Sequence, residues 1–190
     1  MTRDFTTIVS GLPRSGTSMA MQMIVAGGIA AVTDELRLAD ADNPRGYYEF
    51  ERVKHLRTDK SWIEDARGRV VKVIHMLVPE LPDDRPYRVV FLARDLREVV
   101  KSQSTMLARG AKIGAALPPD RLMAVYGAQL TQVHAWLAAR PNFKVLVVEH
   151  ADLLRDSAPQ ARAMNEFLGG GLDVAAMAAA VDPTLHRNRA

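Results

Sequence analysis

The sequence has 190 residues, of which 48% are hydrophobic, and a formal net charge of only +3. This length predicts a single domain over residues 1–190, and so mild a charge argues against nucleic acid as a partner. The absence of cysteine excludes disulfides, thiolate nucleophiles and Cys-based metal sites, and no apolar run approaches the roughly 20 residues of a membrane span, so we expect a cytoplasmic protein.

The first half of the chain predicts a strand, a helix and a second strand. Residues 5–9 form a β-rich run before a glycine turn, which indicates a buried strand. A helix is expected over residues 15–26, where Gly27 and Gly28 end it, and an amphipathic helix over residues 48–60. Residues 70–74 then predict another strand.

The second half continues the alternation of strands and helices. Strand-like runs at residues 88–92 and 144–148, like that at 70–74, are almost continuously apolar, which is typical of strands covered on both faces. Asp95 and Glu98 have the spacing of a capping box, which predicts a helix to about residue 109. Further helices are expected after Pro118, Ser157 and Asp173. The alternation predicts an α/β fold of three layers, with a central, mostly parallel β-sheet flanked by helices.

The loop after the first strand has the features of an anion site. A strand, a glycine turn and a helix bind phosphate well because free backbone N–H groups and the helix dipole point at the anion. Gly11 and Gly16 have the spacing of a P-loop, but Thr17 stands where a nucleoside-triphosphate P-loop has lysine. Arg14 supplies a positive charge on the turn instead, with hydroxyls from Ser15, Thr17 and Ser18. The alternative is an ordinary strand–turn–helix with polar capping residues.

A second basic position follows the strand at residues 88–92. Arg94 comes just after it, and Ser102 is eight residues further on in the predicted helix. Ligands bind at the carboxyl edge of parallel sheets, so we expect Arg94 in the same crevice as the glycine loop. A guanidinium group suits phosphate because its planar fork donates two parallel hydrogen bonds. Alternatively, Arg94 pairs with Asp95 or Glu98.

These two motifs resemble those of a known family. Residues 13–18 are similar to the 5′-phosphosulfate loop of sulfotransferases that use 3′-phosphoadenosine 5′-phosphosulfate (PAPS), and Arg94 with Ser102 resembles their 3′-phosphate site. Residues 43–49 look like a turn of the small bacterial members. The resemblance implies a P-loop-like fold, PAPS as the donor, no metal, and in-line sulfuryl transfer to a hydroxyl or amine.

The resemblance also implies which residues bind the donor. His150 stands where many members place a tyrosine near the adenine, and Arg187 lies in a basic segment that can fold over the 3′-phosphate. The implied binding residues are Arg14, Ser15, Gly16, Thr17, Ser18, Arg94, Ser102, His150 and Arg187.

Three residues are candidates for the general base that activates the acceptor. His75 follows the strand at 70–74 and matches by order the histidine of members that act on small acceptors, and its ordinary pKa suits a base near neutral pH. Glu49 follows the turn, and Glu35 stands where other branches place a glutamate. Arg14 would stabilise charge on the leaving phosphate and the sulfuryl oxygens. Lys72 either approaches the sulfuryl group or is a strand-edge charge.

Two other functions stay open from the sequence. A P-loop-related nucleotide kinase is disfavoured by Thr17 and by the lack of an acidic magnesium ligand after a strand. A non-catalytic nucleotide-binding protein of the same fold is compatible with so short a chain. Carbohydrates, lipids, phenols and small metabolites are all compatible as acceptors, and the oligomeric state is open.

Overall fold

A parallel sheet organises this computed structural model, which describes residues 3–34, 36, 46–109 and 117–182. Within those residues the strands are β1 (Thr6–Gly11), β2 (Val70–Lys72), β3 (Tyr87–Ala93) and β4 (Phe143–Glu149), in the spatial order β2-β1-β3-β4. Every pairing is parallel. The predicted parallel α/β sheet is therefore confirmed.

The described residues contain six helices. They are α1 (Thr17–Ala26), α2 (Leu96–Arg109), α3 (Pro119–Ala138), α4 (His150–Arg155), α5 (Ser157–Phe167) and α6 (Val174–Ala179). All but α4 lie where the sequence predicts a helix. Asp95 caps α2 because its Oδ1 accepts from the backbone N–H of Arg97 at 2.8 Å and of Glu98 at 3.3 Å. Within the described ranges, no helix is both long and apolar enough to cross a bilayer.

Helices cover both faces of the sheet, as the three-layer prediction requires. Because side chains alternate along a strand, Val9 of β1 faces one core and its neighbour Ile8 faces the other. The core around Val9 is closed by α1, α5 and α6, through residues such as Met21, Met164 and Met177. The core around Ile8 is closed by α3 and by the segment that contains Trp62. All six residues of β1 are buried, so the loop that follows it is anchored firmly.

The amphipathic helix predicted over residues 48–60 is wrong. The structure has only a short 3-10 turn there, Glu51–His55. Phe50, Val53 and Leu56 are the apolar residues that pack into the core, and they recur every third residue. That period matches a 3-10 turn, in which side chains three apart lie on one face, and it does not match the 3.6-residue period of an α-helix.

Two expectations about the strands also need correction. β2 ends at Lys72 instead of residue 74, because another 3-10 turn (His75–Glu80) begins directly after Ile74. Coverage of β4 on both faces is wrong, since Val145 and Val147 are 36% and 49% exposed. β4 is one of the two edge strands of the described sheet, and the face that carries Val145 and Val147 is not covered, since neither residue belongs to the two cores.

Candidate active site at the carboxyl edge of the sheet

A cavity of about 490 Å³ lies at the carboxyl edge of the sheet. Its wall includes most of the loop at residues 11–18 (the anion loop), together with Lys72 at the end of β2, Arg94 after β3 and His150 at the start of α4. All four described strands therefore contribute to one crevice. Its volume is in the range of small-molecule sites.

The anion loop has the backbone of a phosphate-binding turn. Gly16 has φ +99° and leads into the first turn of α1, where the N–H groups have no partners within the helix. Arg14 is held at φ +70°, a left-handed conformation that is costly for a residue with a side chain. Non-glycine residues in such conformations cluster at functional sites. The loop thus presents a guanidinium and a helix N-terminus to the cavity.

Hydroxyl groups of the anion loop are divided between the cavity and the interior. Thr17 and Ser18 line the cavity. The side chain of Ser15 is buried, its Oγ has no hydrogen-bond partner among the described residues, and that atom would lie 2.5 Å from a Cβ on Gly11. Ser15 therefore packs beneath the loop. Glycine is required at residue 11 because φ is +146° and a Cβ would also lie 2.7 Å from the backbone oxygen of Leu92.

Hydrogen bonds join the anion loop to the second predicted motif. Arg14 Nε donates to Ser102 Oγ at 3.0 Å, and Arg94 donates through one terminal nitrogen to the carbonyl oxygen of Arg14 at 2.9 Å. The Arg94 Nε donates to Glu98 Oε2 at 2.8 Å. The pairing of Arg94 with Glu98, one of the alternatives raised above, is thus present. Arg94 nevertheless lines the cavity, so the ion pair holds it in place beside Arg14.

A lysine and a carboxylate meet beside the anion loop. Lys72 Nζ donates to Ser18 Oγ at 3.2 Å and to the carbonyl oxygen of Tyr47, and it lies 4.0 Å from Glu49 Oε1. The backbone carbonyl of Glu49 accepts from Thr33 Oγ1 at 2.9 Å. Both charged side chains line the cavity, with Lys72 9% and Glu49 29% exposed. This pair forms the β2 end of the crevice.

The two histidines of interest lie in different surroundings. His75 is buried, and its Nε2 is 2.9 Å from Gln129 Oε1 on α3, so its ring faces that helix and is not part of the cavity wall. His150 is also buried but does line the cavity. A Cβ on Gly16 would lie 2.6 Å from His150 Cδ2, so the imidazole packs directly on the anion loop.

Sequence reasoning missed several contacts and could not test others. Gln129 is 54 residues from His75, and the carbonyl of Tyr47 is a backbone group, so no local pattern identifies either as a partner. Glu35 and Arg187, with most of the turn predicted at 43–46, lie outside the described residues.

Comparison with known proteins identifies the family. The family model described as "Sulfotransferase domain" matches residues 4–187. None of the curated proteins compared with the chain is significantly similar to it.

Several solved structures share the fold of this chain. The sulfotransferase domain from the curacin biosynthetic pathway aligns at TM-score 0.58 and 13% identity, over 97% of this chain and 90% of its own. A sulfotransferase from Alicyclobacillus acidocaldarius aligns at 0.55 and 15%, over 95% and 87%. The sulfotransferase domain of the Synechococcus PCC 7002 olefin synthase aligns at 0.54 and 15%, over 97% and 86%. Since the family model spans almost the whole chain and the fold agrees, this protein belongs to the sulfotransferase family of enzymes.

Proposed function

We propose that this protein transfers a sulfuryl group from PAPS to a hydroxyl or amine of a small acceptor by in-line displacement, with residues 1–190 acting as one nucleotide-binding domain. The observation that carries the proposal is the hydrogen-bonded set of Arg14, Arg94 and Ser102. It joins two guanidinium groups from separate motifs at one cavity.

The chemistry of these donors fits a ligand with two separate anionic groups. Arg14, Thr17, Ser18 and the N-terminus of α1 form one group of donors at the cavity, and the Arg94 guanidinium forms a second. Ser102 is buried beside the cavity wall, where its Oγ accepts from Arg14 Nε and holds that guanidinium. PAPS carries a 5′-phosphosulfate and a 3′-phosphate, so each group has one anion to bind. Thr17, in the place of the P-loop lysine, disfavours a nucleoside triphosphate. His150 packs on the anion loop, and we assign it to the adenine of the donor. Arg187 remains a prediction for the 3′-phosphate site.

Positioning and fixed charge account for most of the expected catalysis. When bound, PAPS supplies an activated sulfuryl group. Arg14 and the N–H groups of the anion loop hold the 5′-phosphate and offset the charge that develops on it. Lys72, which is fixed by Ser18 and the Tyr47 carbonyl, places its ammonium group beside the same loop.

Among the candidates for the general base, the geometry favours Glu49. Its carboxylate lines the cavity 4.0 Å from Lys72 Nζ, where it can accept the acceptor's proton at Oε1. His75 is buried against Gln129 and outside the cavity wall. Glu35 remains a prediction.

Nucleotide binding tests the donor. Adenosine 3′,5′-bisphosphate at 100 times its Kd should stabilise the fold by about 2.7 kcal/mol, measured as a rise in Tm. Arg94→Ala removes the second guanidinium of the cavity and should weaken binding of this bisphosphate more than that of adenosine 5′-phosphate, which lacks the 3′-phosphate. Stabilisation by ATP with magnesium but not by the bisphosphate would contradict the proposal and favour the kinase alternative.

Measurements of kcat on single variants test which residue is the general base. Loss of a general base typically costs ~10²–10⁴-fold, so Glu49→Gln should lower kcat by that factor without weakening nucleotide binding. His75→Gln is the matched control, because it removes an imidazole that faces α3. If His75→Gln lowers kcat more than Glu49→Gln does, then the imidazole is the base. A wild-type protein that binds the bisphosphate but releases no sulfated product from any acceptor would favour the non-catalytic alternative.

A further inference from the structure

The order of the strands separates the two ends of the cavity. β2 and β4 lie at opposite ends of the described sheet, with β1 and β3 between them. The proposed phosphate-binding residues follow β1 and β3, and His150 follows β4. A nucleotide placed there leaves the β2 end of the crevice for the acceptor. That end is formed by the residues after β2 and by the segment at 47–53.

The β2 end of the cavity has an apolar wall, formed by Tyr47, Phe50, Val53, Ile74 and Leu77. The Phe50 ring is held in place by an edge-to-face contact with Trp62 at 5.4 Å between centroids. Ile74 is 42% exposed although it is a large apolar residue. Apolar side chains that face a crevice mark a surface for an apolar ligand, since binding removes them from water.

Charged groups at this end lie close to groups of opposite sign. Lys72 is 4.0 Å from Glu49, and Lys54 Nζ donates to Glu51 Oε2 at 2.7 Å. An anionic acceptor would have to compete with these carboxylates for the ammonium groups. A sugar needs several polar side chains around its hydroxyls, whereas the described wall at this end offers mainly aliphatic and aromatic surface.

We propose, on the basis of the function proposed above, that the acceptor is an uncharged alcohol or phenol carried on an apolar body. Its hydroxyl lies between Glu49 and Lys72, and its body packs on Phe50, Ile74 and Leu77. In the transfer, the acceptor oxygen bonds to sulfur as the bond from sulfur to the 5′-phosphate oxygen breaks. The hydroxyl proton passes to Glu49, and the products are the sulfate ester and adenosine 3′,5′-bisphosphate.

A panel of acceptors with matched variants tests this class. We expect kcat/KM for a medium-chain alkanol and for 2-naphthol to exceed that for methyl glucoside at least tenfold. Leu77→Asn should raise KM for both apolar acceptors about tenfold, because it replaces apolar contact surface by an amide. Met76→Asn is the control: Met76 belongs to the same 3-10 turn, is 51% exposed and is not part of the cavity wall, so KM should not change.

Binding of adenosine 3′,5′-bisphosphate, measured on the same variants, separates the two proposals. If the wild-type protein does not bind it, the donor assignment fails. If the bisphosphate binds normally but the glucoside is preferred, or Leu77→Asn leaves KM unchanged, then the acceptor class is wrong and the donor assignment stands. Where turnover is too slow to measure, calorimetry of the alkanol with the bisphosphate complex decides, and absence of binding overturns the acceptor class.

Discussion

Replacing Arg14 by glycine and by alanine separates its conformational role from its chemical role. The residue has φ +70° and donates to Ser102 Oγ at 3.0 Å. Both substitutions remove the guanidinium and this hydrogen bond. They differ in one respect, since alanine keeps a Cβ in a left-handed conformation and glycine does not.

The expected difference in stability follows from that Cβ. A left-handed conformation costs a residue with a Cβ about 1–2 kcal/mol, while glycine loses about 0.5–1 kcal/mol more backbone entropy on folding. Arg14→Gly should therefore be more stable than Arg14→Ala by about 1 kcal/mol or slightly less. In a protein of this size, 1 kcal/mol corresponds to roughly 2–4 °C in Tm.

Ligand binding should respond differently from stability. Each variant loses a charge-assisted hydrogen bond to the nucleotide, worth about 1.5–3 kcal/mol, so both should bind adenosine 3′,5′-bisphosphate about 10–100-fold more weakly than the wild type. Thermal unfolding without ligand and calorimetry with it provide the two measurements. An alanine variant as stable as the glycine variant would refute the argument from strain, and an unchanged Kd would refute the role of the guanidinium.

Substitutions at three further positions test other parts of the structure. Glu98→Ala removes the ion pair that holds Arg94 in place. It should therefore weaken binding of adenosine 3′,5′-bisphosphate several-fold more than that of adenosine 5′-phosphate, which calorimetry measures. Asp95→Ala removes the cap of α2 and should lower the free energy of unfolding by about 1 kcal/mol in urea, whereas Asp95→Asn, which can still cap, should cost less. Burial against Phe91 lowers the pKa of His134, so below the ordinary value near 6.5 the unfolded chain takes up a proton that the folded chain resists. The free energy of unfolding should therefore fall from pH 7.5 to 5.5, and less steeply in His134→Gln, which urea titrations at both pH values measure.

Features set by local rules were predictable from the sequence. The capping carboxylate of Asp95, the glycines that follow α1 and the β-rich run at residues 5–9 each act through neighbours in the chain. The wrong prediction of a helix over residues 48–60 also has a local cause. At residues 50–56 the apolar residues recur every three positions, and a period of three is easily mistaken for 3.6 over so short a stretch.

The position of Arg94 at the cavity could be predicted from the sequence, whereas the orientation of His75 could not. Arg94 follows a strand, and the topology of a parallel sheet alone brings it to the edge where the anion loop lies. His75 also follows a strand, but its orientation depends on where β2 ends. Because the strand stops at Lys72 and a 3-10 turn follows, the imidazole is directed to Gln129 on α3. A difference of two residues in a strand boundary thus decides whether a side chain faces the cavity or the interior.

Backbone strain in the described residues coincides with the proposed chemistry. The non-glycine residues with positive φ are Arg14 at +70° and Tyr48 at +52°. Arg14 presents its guanidinium to Ser102, and Tyr48 lies between the Tyr47 carbonyl that binds Lys72 and the carboxylate of Glu49. Glycine would relieve the strain at residue 14 but would remove the charge. At residue 48 the strained turn sets the directions of its two neighbours. Both departures from local preference therefore lie at the cavity: one holds Arg14 in the anion loop, and the other lies between Tyr47 and Glu49 at the β2 end of the crevice, which we assign to the acceptor.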